Sequence, residues 1–128
     1  MTMIGELIVA SVVSDVPKPT ILYTPWMPRQ GNNFTSTFEV IAISGTDVKL
    51  TVDVYEKNID DTGQGSANTP TGTNYRSTVG VQSFRNTNCK QLVRYRAVLD
   101  VATAEPSGSY TMYAIFRVLT PAWERTGA

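Results

Sequence analysis

The chain of 128 residues is about one domain's worth of polypeptide, enough to bury a core without disulfides or metals, and residues 1–128 are read as a single domain. Charged residues make up only 17%, against roughly a quarter in an average soluble chain, and 11 basic residues balance 11 acidic ones, so no global field draws the molecule to nucleic acid or an anionic membrane. With no histidine and one cysteine, Cys89, the sequence excludes Ser-His-Asp and Cys-His catalytic pairs, histidine or four-cysteine zinc sites, and any intrachain disulfide.

In chain order, the first apolar stretch, Ile4 to Val13, is interrupted by Glu6, lacks a basic leader and is too short to span a bilayer. It is read as a strand over 5–13, followed by a short strand over 20–23. The run FTSTFEVIAIS (34–44) places Phe34, Phe38, Val40 and Ala42 on one side. VKLTVDVYEKN (48–58) alternates Val48, Leu50, Val52 and Val54 against Lys49, Thr51, Asp53 and Tyr55. Ser44 to Asp47 punctuates the two, which predicts a hairpin. Residues 58–76 form a long connection, and a strand is expected over 77–84.

Further on, QLVRYRAVLDV (91–101) and SYTMYAIFRVL (109–119) repeat the period of two and are expected to form a second hairpin across Glu105-Pro106-Ser107-Gly108. Apolar residues on both faces of these pairs call for cover by a second sheet or by neighbouring subunits. No segment holds a helical period, and seven prolines punctuate every candidate. The expected fold is an all-β, antiparallel two-sheet sandwich, jelly-roll-like, with an immunoglobulin-like order as the alternative and with extended amino- and carboxy-terminal segments.

NIDDTGQGSANTPTGTNYR (58–76) begins like a calcium loop: Asn58, Asp60, Thr62 and Gly63 fall at positions one, three, five and six of the helix-loop-helix calcium pattern. Position twelve is Thr69, where that pattern supplies a bidentate Glu, and a strand replaces the leading helix. A solvated turn and long connection is therefore the favoured reading, with calcium at Asp60 and Asp61 as the alternative. The composition of the segment, poor in apolar groups, means that any order in it must come from contacts outside it.

Charge is segregated along the chain. Residues 1–61 carry eight acids and four bases, whereas 62–99 carry no acid and five bases, Arg76, Arg85, Lys90, Arg94 and Arg96. Opposite regions of this kind suit head-to-tail contact between copies. Arg94 and Arg96, two apart, project from one face of their strand and are suited to gripping phosphate or carboxylate, in RNA, DNA or another polyanion, or to pairing inside the fold with Asp53 or Glu56.

Trp26 and Trp123 lie in proline-flanked segments, each followed closely by an arginine, Arg29 and Arg125. Such indoles, with Tyr23 or Tyr113, suit stacking on a glycan or anchoring a subunit contact. Cys89, beside Lys90, is read as a plain core or turn thiol rather than a nucleophile. A helix-free, histidine-free, Thr- and Asn-rich β domain resembles small coat or shell subunits at the level of class.

The expectation drawn from all this is a non-enzymatic, self-assembling structural subunit of a shell, coat or surface layer, viral or phage-like. The interface residues would be Trp26, Arg29, Arg76, Arg85, Arg94, Arg96, Trp123 and Arg125. No membrane insertion is expected, no cofactor beyond the calcium alternative, and a cytoplasmic or particle-associated location. The alternatives are a carbohydrate-binding module through Trp26 and Trp123, and a polyanion binder through Arg94 and Arg96.

Overall fold

The computed structural model describes residues 5–14, 20–45, 47–101 and 110–125. The described residues contain no helix and eleven strands: β1 (Gly5–Ser14), β2 (Thr20–Tyr23), β3 (Met27–Pro28), β4 (Phe34–Ser44), β5 (Val48–Lys57), β6 (Ser66–Asn68), β7 (Tyr75–Arg76), β8 (Gly80–Asn86), β9 (Leu92–Val101), β10 (Tyr110–Val118) and β11 (Ala122–Trp123). The expected 105–108 turn lies outside the described residues.

Two antiparallel sheets form. The first runs β1-β10-β4, with β8 and β11 also on β4; the second runs β2-β9-β5, with β6 and β7 on β5 and β3 on β9. Pairing is nested: β1 with β10, β2 with β9, β4 with β8, and β5 with β6 and β7. That is an antiparallel ribbon rolled on itself, the order of a jelly roll rather than of an immunoglobulin-like sandwich.

The same pairing corrects both expected hairpins. β4 and β5 lie in different sheets, as do β9 and β10; β4 instead pairs β10, and β5 pairs β9. Short turns joining alternating strands are equally suited to a hairpin and to a corner between sheets, because the alternation says which face is buried and not which strand lies alongside. At the first corner Gly45 (φ 135°) and Asp47 (φ 59°) turn the chain from one sheet to the other.

Between the sheets lies one apolar core. Its largest fully buried side chains are Phe34, Phe38, Phe116, Leu50, Leu99 and Met112. The inward face of β5 is Val48, Leu50, Val52 and Val54, as its alternation required. A polar bond crosses the core: the Tyr95 hydroxyl on β9 and the Ser36 hydroxyl on β4 meet at 2.7 Å, both buried. Burial pushes the Tyr95 phenol well above its ordinary range, and the Ser36 bond partly offsets that rise.

β4 departs from its predicted faces at its end. Val40 opposes Phe116 but Ala42 opposes Ile115, so the register slips by one residue at Ile41. A bulge of this kind reverses the alternation beyond it. Ile43 therefore packs against the core, Ala42 opposes the outward Ile115, and Ile41 is left exposed.

Candidate interaction surfaces

The outer face of the second sheet carries most of the residues singled out from sequence. Register sets this directly: Arg94 opposes Tyr55, and Arg96 opposes both Asp53 and Tyr23, so all five side chains share the face turned away from the core. There they form a layer of alternating cations and rings. The Arg94 guanidinium lies 4.1 Å from the Tyr23 ring centre and 4.4 Å from that of Trp26, while Lys57 sits 4.7 Å from the same indole. Arg96 lies 5.3 Å from the Tyr55 ring centre and donates to the Tyr55 hydroxyl, and Tyr23 meets Tyr55 edge to face. Lys49 lies 5.1 Å from the Tyr75 ring centre. Each contact places a cation on the negative face of a ring, worth about 0.5–2 kcal/mol according to how much water is excluded.

Arg94 and Arg96 do share a face, but each is already engaged. Arg94 is only 8% exposed, and its Nη2 donates to Gln64 Oε1 at 2.5 Å. Arg96 pairs with Asp53 at 3.9 Å, the intramolecular partner considered from sequence.

These contacts also account for the order of residues 58–76. β6 and β7 add short strands to β5, Lys57 Nζ donates to Gly63 O at 3.1 Å, and Gly65 is so close to Trp26 that a Cβ there would lie 2.9 Å from the indole edge. The loop is thus held by groups outside its own sequence. Beside it opens a polar cavity of about 560 Å³ lined by Glu56, Lys57, Asp60, Asp61, Gln64 and Lys90 among others. Asp61 accepts a hydrogen bond from the Asn58 amide at 2.9 Å, as in a turn, and no three acidic, Cys or His side chains converge as metal ligands among the described residues.

A buried amide link, not foreseen from sequence, joins the sheets at this end. Asn86 of β8 donates to Asn68 O and Oδ1, and Asn68 donates to Glu56 Oε1 and Thr87 O, each at 2.9–3.2 Å. Glu56 Oε1 also accepts from the Lys90 amide.

The first sheet presents a different outer face. Among its described side chains, Arg85 pairs with Glu124 at 2.7 Å and Arg117 with Glu39 at 2.8 Å. The Arg85 bond holds the Glu124 carboxyl below the usual carboxylate range. Thr37 and Ser83 share a hydrogen bond at 2.9 Å. Beside these lie Ile41, 44% exposed, and Val79 and Val81, each 58% exposed. Glu39 opposes Val81 and Val40 opposes Gly80, where the β4–β8 pairing ends. These three were not among the residues predicted for interaction, although the alternation in TVGVQSF carries a usable signal. If Phe84 turns inward, Val79 and Val81 must turn outward.

Arg76 lies along the edge of this segment. Its guanidinium donates to Thr78 O, Val79 O and Val81 O at 3.0–3.2 Å, and to Thr78 Oγ1. Gly80 (φ 145°) makes room for it, because a Cβ there would lie 2.5 Å from Arg76 Nη2.

The remaining predicted residues are scattered. Trp123 stacks on Phe34 of the first sheet at 4.5 Å, whereas Trp26 belongs to the second, so each indole has its own intramolecular partners. Arg29 donates to Cys89 O at 2.7 Å; Arg125 is exposed; Tyr113 is half-buried on β10. The Cys89 thiol is buried, and burial first, then the nearby Glu56 charge, pushes its pKa up to about 11, so it is a neutral thiol at pH 7. No family model, no curated protein and no solved structure matches the chain. No helix among the described residues is long and apolar enough to cross a membrane.

The charges separated along the sequence are thus mixed in space. Arg96 of the basic segment meets Asp53 of the acidic one, and Arg85 meets Glu124 of the carboxy-terminal segment. The head-to-tail charge argument drawn from sequence loses its basis at these positions.

Proposed function

We propose that the protein is a non-enzymatic structural subunit that assembles with copies of itself, as a shell, coat or surface element of a particle of viral or phage-like kind. One observation carries the reading: both outer faces of the sandwich keep large apolar side chains in water. Ile21, Tyr23 and Tyr75 lie on the second sheet, and Ile41, Val79 and Val81 lie on or beside the first, all between 39% and 58% exposed. A formal net charge of zero supports it, since copies meet no mutual repulsion.

Neither alternative has comparable support. A glycan would need free ring faces, yet Arg94 and Lys57 both lie over the Trp26 indole. A polyanion would need free guanidinium groups, yet Arg94 is buried between two rings and Arg96 faces Asp53. The deciding experiment is mass photometry and light scattering on the purified chain at nanomolar to micromolar concentration. Defined oligomers or particles are expected; a strict monomer throughout would refute the proposal.

A further inference from the structure

We propose that Lys57 and Arg94, gathered around the Trp26 indole, form a binding site for a small carboxylate, and that the Gln64 amide is the neutral group holding its place, a role independent of how copies of the chain assemble.

Register brings the two cations together. Tyr55 opposes Arg94 and Lys57 opposes Leu92, so Lys57 and Arg94 are diagonal neighbours on the outward face of the second sheet, and both reach Trp26, at 4.7 and 4.4 Å from its ring centre. Among the described residues neither takes part in an ion pair. Their acceptors are neutral and come from one short stretch: Lys57 Nζ donates to Gly63 O at 3.1 Å, and Arg94 Nη2 donates to Gln64 Oε1 at 2.5 Å and to Gln64 O at 3.4 Å. Arg94 is 8% exposed, and its Nε has no hydrogen-bond partner among the described residues. A guanidinium this far from water, with a second cation beside it, carries a desolvation cost that ring faces and an amide offset less well than a carboxylate does. An anionic oxygen in place of Gln64 Oε1 therefore gains what the amide cannot supply.

Gln64 is free to give way. Its side chain is exposed and it lies between Gly63 (φ 113°) and Gly65 (φ 75°), with nothing within 4 Å of a Cβ at Gly63. The polar cavity of about 560 Å³ has Lys57, Gln64 and Lys90 in its wall, so a ligand entering it meets Gln64 with Arg94 directly behind. Glu56, Asp60 and Asp61 line the same cavity. Glu56 Oε1 is occupied by Asn68 and the Lys90 amide, and Asp61 Oδ2 by the Asn58 amide. Their charges still oppose a doubly charged phosphate more than a singly charged carboxylate, whose two oxygens also match the guanidinium fork. A polymer of phosphates is opposed more strongly again.

Titration of the full chain with sodium acetate, followed by two-dimensional amide and indole NMR at an ionic strength held constant with sodium chloride, tests the site. Saturable shifts centred on Gly63, Gln64, Gly65 and the Trp26 indole N–H are expected with acetate and absent with chloride alone. Gln64→Ala removes the competing amide and should tighten acetate binding roughly threefold or more. Gln64→Glu supplies the carboxylate from the chain itself and should abolish the acetate shifts while raising the melting temperature. Spectra that match the natural chain away from residues 62–66 and Trp26 confirm that both variants fold. Shifts that stay linear in acetate, or that chloride reproduces, overturn the site. An unchanged acetate affinity in Gln64→Ala overturns the place-holding role of Gln64, and sodium phosphate binding as tightly as acetate overturns the assignment to a carboxylate.

Discussion

Tyr95→Phe removes one oxygen from the centre of the core, and its consequence can be worked from the contacts. The Tyr95 and Ser36 hydroxyls are 2.7 Å apart, both residues are at most 3% exposed, and they join opposite sheets. Losing the bond forfeits about 0.5–1.5 kcal/mol net, and an orphaned Ser36 hydroxyl with no route to water brings the total to about 1–3 kcal/mol. Ser36→Ala should cost a similar amount, since it orphans the phenol instead. The double variant leaves neither group unpaired, so it should be less destabilised than the sum of the two, with a coupling energy of about 1–2 kcal/mol. Urea unfolding followed by tryptophan fluorescence at one fixed protein concentration measures all four corners of the cycle. For a chain of this size Tyr95→Phe should also lower the melting temperature by roughly 3–10 °C. Strictly additive single effects, with coupling under about 0.3 kcal/mol, would refute the claim that this bond ties the sheets together.

Arg94→Met keeps the length of the side chain but removes the charge that holds Gln64 and stacks on two rings. It should lower stability by about 1–3 kcal/mol and speed proteolysis within residues 62–66 several-fold, as read by limited digestion and mass spectrometry. Gly80→Ala combines a φ of 145° with a Cβ 2.5 Å from Arg76 Nη2 and should cost about 1–3 kcal/mol. Gly63→Ala has a φ of 113° but nothing within 4 Å, so it carries backbone strain alone and should cost less in the same denaturation assay. Cys89 should resist a thiol-specific reagent at pH 8 in the native state and react at once when unfolded. Its folded pKa of about 11 lies above the ordinary value of 9.0, so its contribution is full below about pH 9 and disappears as pH rises through 11. That loss is on the order of 2 kcal/mol, and Cys89→Ala should flatten this part of the curve of stability against pH.

Much of the sandwich was legible in the sequence because alternation is a local property. Val48, Leu50, Val52 and Val54 must face the same way in any extended strand, and they fill the core as read; so do Val93, Tyr95, Ala97 and Leu99 of β9. The shared face of Arg94 and Arg96 was equally local. Their meaning was not, because Tyr23, Trp26 and Gln64 reach Arg94 from sequence positions 71, 68 and 30 residues away. Likewise, apart from the turn at Asn58–Asp61, the groups that order NIDDTGQGSANTPTGTNYR lie outside it, on β5, on β9 and in the segment around Trp26.

By itself the sequence determined a helix-free β chain, the inward faces of its long strands and the chemistries it lacks, since period, composition and residue counts need no knowledge of neighbours. Only the tertiary structure decided that the strands of the two apparent hairpins lie in different sheets, that a bulge at Ile41 exchanges the faces of Ala42 and Ile43, that opposite charges find partners inside one chain, and that Val79 and Val81 remain in water. The reason is the same in each case: side-chain alternation constrains orientation within a strand, whereas pairing, register and burial are set by segments brought alongside from far along the chain.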